Sequence, residues 1–330
     1  MKISFRDAAE FLVTHDNYII LIHDRADGDC FGTATGLASA LKIIGKNAVI
    51  ASPGKIPERL KFINSSGITV LEGKEAFEAY VKETSTIIST DVASDALLSG
   101  LKDLVTSKIS LAIDHHKLNT LTCDKLLIEE NASSAGEVVY ELCTVLETIT
   151  GKKLFSYDVS FALYSAISSD SGCFKYSNTG VKTYRFAANL LESGIPAHEI
   201  NYRLFDLKNR VQIEVERLAY SHLEFYADGK LCLIYLPKNE LDEIGATNND
   251  TETVVQICRC IEGVEVGVFM YEKEPGLFKF SVRTNGETDM SELCGMFGGG
   301  GHKKAAGCSI EGDADYVKKA FLEKATDFIK

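Results

Sequence analysis

Three polar clusters in this 330-residue chain carry groups that bind metal ions and handle protons, and each follows an apolar run. His23, Asp27 and Asp29 follow Tyr18-Ile-Ile-Leu-Ile, Asp91 follows Thr86-Ile-Ile-Ser-Thr, and Asp114, His115 and His116 follow Ile109-Ser-Leu-Ala-Ile. Carboxylates brought together without counter-charges repel one another and lose hydration. Divalent cations relieve both costs. Mixed imidazole and carboxylate donors suit manganese, iron, cobalt or zinc better than calcium. The set is large enough for two ions if one carboxylate bridges them. Such a pair activates a water and neutralises phosphate oxygens, which is the chemistry of phosphoryl hydrolysis. A single Asp beyond a strand is ordinarily a turn or N-cap residue, and two adjacent histidines alone are ordinary loop residues. Three such clusters at three successive strand ends do not fit those ordinary roles.

The elements that must position them follow from the apolar pattern. Tyr18–His23, Ala48–Ala51, Thr86–Ser89 and Ile109–Ile113 read as buried strands. Phe31, Ala34, Leu37, Ala38, Leu41 and Ile44 share one helical face, and Gly45 is a C-terminal stop. Further helices are expected over 135–147, 157–169 and 181–193. Strands alternating with helices predict an α/β fold with a parallel sheet and helices on both faces. In such a sheet ligands bind outside the carboxyl ends of the strands, so the three clusters should converge there. Asp170, after an apolar helix, reads on spacing alone as a turn residue.

Beyond Gly194 the pattern changes. A charged helical stretch runs from Ile195-Pro196 to about Ser221, and strand-like and helical signals then interleave to a last helix over 316–329. This predicts a second, smaller α+β domain. Its densest signal is Gly298-Gly299-Gly300-Gly301-His302-Lys303-Lys304, where successive glycines free backbone N–H groups to surround an anion. It lacks the Gly-Lys-Ser/Thr ending of a Walker loop. Arg283, at the end of a strand, offers a two-pronged phosphate grip.

Composition narrows the partners. Lys and Arg total 35 against 47 Asp and Glu, a net charge of −12. Wrapping duplex nucleic acid needs a broad basic face, so duplex DNA is not expected; a small anion needs only a local positive site. No apolar run approaches a membrane span, and no basic-then-apolar leader opens the chain. A cytoplasmic protein with its nine scattered cysteines as free thiols is expected.

Together these clusters resemble the DHH/DHHA1 phosphoesterase superfamily. The family's His-x-x-Pro-Asp-x-Asp stands here as His23 to Asp29, with Ala26 in the proline place. Asp114-His115-His116 is the name-giving triplet, and Asp91 is similar to the lone Asp of the second motif. Asp170-Ser-Gly-Cys-Phe174 resembles Asp-Thr-Gly-x-Phe, with Ser171 for Thr. Gly299-Gly300-Gly301-His302 and Ala305-Ala306-Gly307 match the C-terminal signature, and Ser281-Val282-Arg283-Thr284 matches Ser-x-Arg-Ser except at Thr284. The match covers nearly the whole chain.

The resemblance implies two manganese ions, with magnesium or cobalt as other divalent choices. One would be held by His23, Asp27 and Asp91, the other by Asp29, Asp91, His115 and Asp170, with Asp91 bridging. His116 would contact the phosphate and protonate the leaving oxygen, and Asp114 would orient a ligand histidine. Arg283, Gly299, Gly300, Gly301 and His302 would hold the far end of the substrate. The expected layout is a catalytic domain over residues 1–193, a helical linker over 194–214 and a substrate-binding domain over 215–330. Length and glycine signature look most like the stand-alone bacterial members that degrade very short RNAs and dephosphorylate adenosine 3′,5′-bisphosphate. Hydrolysis of cyclic di-AMP or its linear product is the alternative within the class. A nucleotide-binding protein without catalysis is the alternative outside it, against which stands the presence of every expected ligand. A homodimer through 194–221 is left open.

Overall fold

The structure, a computed structural model, describes residues 1–251 and 253–329, without the side chains of Asn248, Asn249 and His302. The chain forms two compact units, Met1–Leu207 and Lys208–Lys330.

In order, the first unit contains α1 (Phe5–Thr14), β1 (Tyr18–Leu21), α2 (Gly28–Ile43), β2 (Ala48–Ser52), β3 (Val70–Glu72), α3 (Lys74–Tyr80), β4 (Thr86–Thr90), α4 (Lys102–Val105), β5 (Ile109–Asp114), β6 (Lys125–Ile128), α5 (Ala135–Thr150), α6 (Tyr157–Asp170), α7 (Val181–Leu191) and α8 (Ala197–Asn201). The six strands form one parallel sheet, ordered β3-β2-β1-β4-β5-β6. Because the strands are buried on both faces, they read as continuous apolar runs. Alternate side chains feed two cores. Ile20, Ile50, Ile88, Leu111 and Ile113 pack with α1, α2, α5 and α6. Ile19, Leu21, Val49, Ile87 and Ile109 pack with Phe77 of α3, Val105 of α4 and Leu98 of the 3₁₀ turn Asp95–Leu101.

The helix expected to show one apolar face is buried from Gly28 to Leu41 on all sides. Its second face is made of small residues, which let α6 approach closely; a Cβ at Gly32 would stand 2.7 Å from the Ala162 carbonyl. This packing matters to the site, because α2 carries Asp29 in its first turn and α6 ends at Asp170.

The second unit contains α9 (Arg210–Ser221), β7 (Leu223–Tyr226), β8 (Leu231–Leu236), α10 (Lys238–Glu243), α11 (Val254–Arg259), β9 (Val266–Glu274), β10 (Leu277–Thr284), α12 (Met290–Gly295), β11 (Gly300–His302), β12 (Ala305–Glu311) and α13 (Ala314–Phe328). Its mixed sheet runs β11-β12-β10-β9-β8-β7, with only β8 and β9 parallel. Phe280, Met270 and Leu233 pack with α12 and α13 on one face. Ile234, Phe269 and Tyr271 pack with α9 and α11 on the other. The helical stretch expected from Ile195 to Ser221 is broken. It comprises α8, a π-helical turn over Tyr202–Asp206, and α9, which restarts where the Asn209 side chain accepts the Gln212 N–H at 2.8 Å. Among the described residues no helix is long and apolar enough to cross a membrane.

Candidate metal centre

The strands that end in the polar clusters are neighbours in the sheet, in the order β1-β4-β5. Between β1 and β4 the winding reverses: β2 and β3 extend the sheet one way, β4 to β6 the other. Such a switch point opens a crevice at the strand C-termini, and the clusters meet there.

Asp29 is 1% exposed. Its carboxylate accepts from Thr33 Oγ1 at 3.0 Å, the Ala135 N–H at 2.8 Å and the Gly136 N–H at 3.0 Å. The last two are unsatisfied donors at the start of α5, an electropositive helix end. Asp91, 4% exposed, adopts a left-handed backbone with φ of 57°, and its N–H donates to the Ile113 carbonyl at 3.0 Å. Asp is one of the few side chains that tolerate this region. The turn aims its carboxylate at three imidazoles. Oδ2 lies 3.7 Å from His23 Nε2, while Oδ1 lies 3.6 Å from His115 Nε2 and 3.5 Å from His116 Nδ1. Asp91 Oδ1 is buried and has no hydrogen-bond partner among the described residues.

His115 Nε2 also stands 3.8 Å from Asp29 Oδ2 and 3.8 Å from Asp170 Oδ2. Asp114 is engaged on both oxygens. Oδ1 accepts from the His115 N–H at 2.7 Å and from His116 Nδ1 at 2.8 Å, and Oδ2 accepts from the Asn119 amide. Asp27 is the outlier. Its Oδ1 is 4.0 Å from His23 Nε2 and accepts the Cys30 N–H at 2.9 Å as the cap of α2. The expected ligand position and the ordinary N-cap role coincide in one side chain.

The electrostatics divide the acids. Burial, then the charges of Asp170 and Asp27, pushes the Asp29 carboxyl well above the usual range. Burial and the charge of Asp29 do the same to Asp91. Burial and Asp27 push Asp170 up to about 7. Asp114 goes the other way: burial opposes its charge, but hydrogen bonds from His116, Asn119 and the His115 N–H outweigh it. The bond to Asp114 in turn raises His116, whereas burial lowers His23 and His115 toward neutral imidazole.

Buried acids that resist ionising, neutral imidazoles beside them and an orphaned carboxylate oxygen are what a divalent cation satisfies. Asp29, His115 and Asp170 each bring a donor atom within 4.8 Å of the others, as do Asp91, Asp114, His115 and His116, and as do His23, Cys30 and Asp91. The residues present therefore fit divalent metal.

Residues 17–167 match the model of the DHH family, N-terminal domain, and residues 228–330 match that of the DHHA1 domain. The chain belongs to the DHH/DHHA1 phosphoesterase superfamily. It is 27% identical over 309 residues to the bifunctional oligoribonuclease and PAP phosphatase NrnA of Thermus thermophilus, covering 92% of this chain and 87% of that one. It is 24% identical to the protein of the same name from Bacillus subtilis, covering 90% of each. The crystal structure of an exopolyphosphatase-related protein from Bacteroides fragilis has the same fold, with a TM-score of 0.88 at 23% identity over 98% of this chain and 95% of that one.

In this DHH unit the motif residues do not hold themselves in place. The segment Ala132–Gly136 anchors Asp29 through two N–H groups and meets His115 Nδ1 with the Ala132 carbonyl at 3.3 Å. Main-chain atoms carry no sequence signature, so motif reading passes over them. Cys30, outside the polar motif positions, also lies at the site. It is buried beside His23 and Asp91, and burial with the charge of Asp91 keeps its thiol strongly protonated, which disfavours it as a ligand.

In the DHHA1 unit Arg283 lies on β10 opposite Ala305, next to the strand that follows the glycines. The glycines themselves do not form an open loop. Gly300–His302 pairs with Ala305–Gly307 as a hairpin turning at Lys303-Lys304. Gly299 lies against the Gly307 carbonyl and Cys308, and a Cβ at Gly301, whose φ is 143°, would stand 2.5 Å from the Ala305 carbonyl. Two of the glycines thus serve the close approach of two backbones. The His302 side chain lies outside the described residues.

Proposed function

We propose that this DHH/DHHA1 protein is a two-metal hydrolase that cuts short oligoribonucleotides and removes the 3′-phosphate of adenosine 3′,5′-bisphosphate, with manganese as its ion. The observation that carries the two-metal reading is Asp91. One of its oxygens faces His23 and the other faces His115, so a single buried carboxylate is shared by two donor groups. His23, Asp27 and Asp91 would hold one ion, and Asp29, Asp91, His115 and Asp170 the other. The names of the relatives from Thermus thermophilus and Bacillus subtilis support the substrate class.

Bound there, the ions supply an activated water and neutralise the phosphoryl oxygens. The chain's own residues do the rest. The α5 N-terminus and Thr33 fix the Asp29 carboxylate. Asp114 stays ionised and accepts the Nδ1 proton of His116, which fixes the tautomer and orients the ring. A proton given to the leaving oxygen then comes from His116 Nε2, and the raised basicity of that ring keeps the proton available near neutral pH. Arg283, the hairpin glycines 299–301 and His302 of the DHHA1 unit would hold substrate phosphate.

The test is a parallel assay of adenosine 3′,5′-bisphosphate, diadenylate and cyclic di-AMP with manganese added. Hydrolysis of the first two with the third untouched supports the proposal. Preference for the cyclic compound replaces the substrate assignment. Tight binding of all three without turnover replaces the enzyme reading with a binding protein.

A further inference from the structure

The three residues of the second donor group come from distant parts of the chain, yet each is tied to one five-residue segment. His115 Nδ1 meets the Ala132 carbonyl at 3.3 Å, and Asp29 takes the Ala135 and Gly136 N–H groups. The link to Asp170 runs through a residue outside the motifs that bear ligands. The Asn178 amide Nδ2 donates to the Ser133 carbonyl at 2.9 Å and to the Asp170 carbonyl at 3.1 Å. The carbonyls of a helix's last turn have no partner within the helix, so this bond fixes the end of α6, on which Asp170 sits.

The segment is rigid enough to act as a template. Ser134 caps α5 by accepting the Glu137 N–H at 3.2 Å, and Ser133 Oγ donates to Glu137 Oε1 at 2.6 Å, with Glu137 1% exposed. Asn178 is brought back to α6 by three successive left-handed residues, Gly172, Cys173 and Phe174, with φ of 58°, 58° and 62°. The Tyr176 ring packs directly against Gly172, where a Cβ would collide with it.

We propose that Asn178 is a positioning residue for the second ion alone: by joining the Ser133 and Asp170 carbonyls it sets the spacing of Asp170 from Asp29 and His115. This deepens the two-metal reading and rests on it. The His23 side of Asp91 has no such link to Asn178 among the described hydrogen bonds, so the first ion position should not feel its loss.

Calorimetric titration of the metal-stripped full chain with Mn²⁺ tests this. Wild type should show two binding events, and Asp170→Asn, which removes a ligand of the second group only, identifies the second. Asn178→Ala should weaken that event about 10–100-fold, as loss of an outer partner does, and leave the first unchanged. Asn178→Asp keeps the shape but replaces the donor with an acceptor, and should do the same even if the alanine variant folds poorly. The melting temperature of the metal-free variants, a readout independent of the ions, should stay close to wild type. If both variants leave the second event intact, or weaken both events equally, the role of Asn178 is wrong while the two-metal reading stands. A single event in wild type overturns the two-metal reading and the proposal with it.

Discussion

Asp91 Oδ1 and His115 Nε2 face each other across 3.6 Å, with no hydrogen bond from the described residues satisfying the buried oxygen. Two polar groups held at that spacing in a water-poor crevice cost the folded protein stability unless something joins them. The backbone of Asp91 sits in a left-handed conformation to keep them there. The site is thus arranged for an ion at the expense of the protein without one.

Asp91→Asn should remove turnover by more than the ~10²-fold that loss of an outer partner costs, because on the proposed two-metal reading it removes the carboxylate that faces both donor groups. The same change should raise the melting temperature of metal-free protein at alkaline pH, since it removes a buried carboxylate that burial and Asp29 force away from ionisation. Differential scanning calorimetry with chelator, beside a phosphatase assay, reads both effects.

The Asp170 carboxyl gives a pH signature. Its folded value is raised to about 7 from 3.8, so between those values the folded state keeps a proton that the unfolded state releases. The stability it contributes is complete below the unfolded value and is lost as pH rises through the folded one. Metal-free wild type should therefore lose more melting temperature than Asp170→Asn as pH rises from 3.8 to about 7. Saturating Mn²⁺ should remove the difference in slope by holding the ionised form.

Asp114→Asn should lower turnover about 10–100-fold, because an amide oxygen holds the His116 ring without the charge that raises its basicity; its NH2 faces the Asn119 amide donor, so the melting temperature should fall as well. The alkaline limb of the kcat/KM profile should move to lower pH. A profile unchanged in position would separate His116 from proton transfer.

The hairpin glycines should behave unequally. A Cβ at Gly299 collides with the Gly307 carbonyl and with Cys308, so Gly299→Ala should cost about 1–3 kcal/mol as overpacking does. Among the described residues nothing lies within 4 Å of a Cβ at Gly300. Gly300→Ala should keep the melting temperature, and a raised KM there would mark the position as a phosphate contact.

The three polar clusters were legible because each follows an apolar run, and a parallel sheet places such run ends along one edge; Asp170, which ends helix α6, has no such signal and reads on spacing as a turn residue. Helix α2 was legible as a helix but not as an all-round buried one, since Gly32 and Gly36 look neutral in sequence and reveal their purpose only against Ala162 and Leu163 of α6. Strand β3 has only three residues, Val70–Glu72, too few for alternation to register. The glycine hairpin read as a loop because glycine signals freedom and close packing with the same letter. Ala132–Gly136 escaped for another reason: it acts through carbonyls and N–H groups that every residue has. Asn178 escaped because its side-chain amide reaches only main-chain carbonyls, Ser133 and Asp170, and a lone Asn between elements reads as a turn residue.

The most direct test is diadenylate turnover by metal-stripped protein as Mn²⁺ is titrated in, wild type beside Asp91→Asn. A two-metal site that shares Asp91 predicts no activity in chelator, full activity on adding the ion to wild type, and silence in the variant at every concentration. Turnover that persists in chelator, or that is equal in the two proteins, would contradict it.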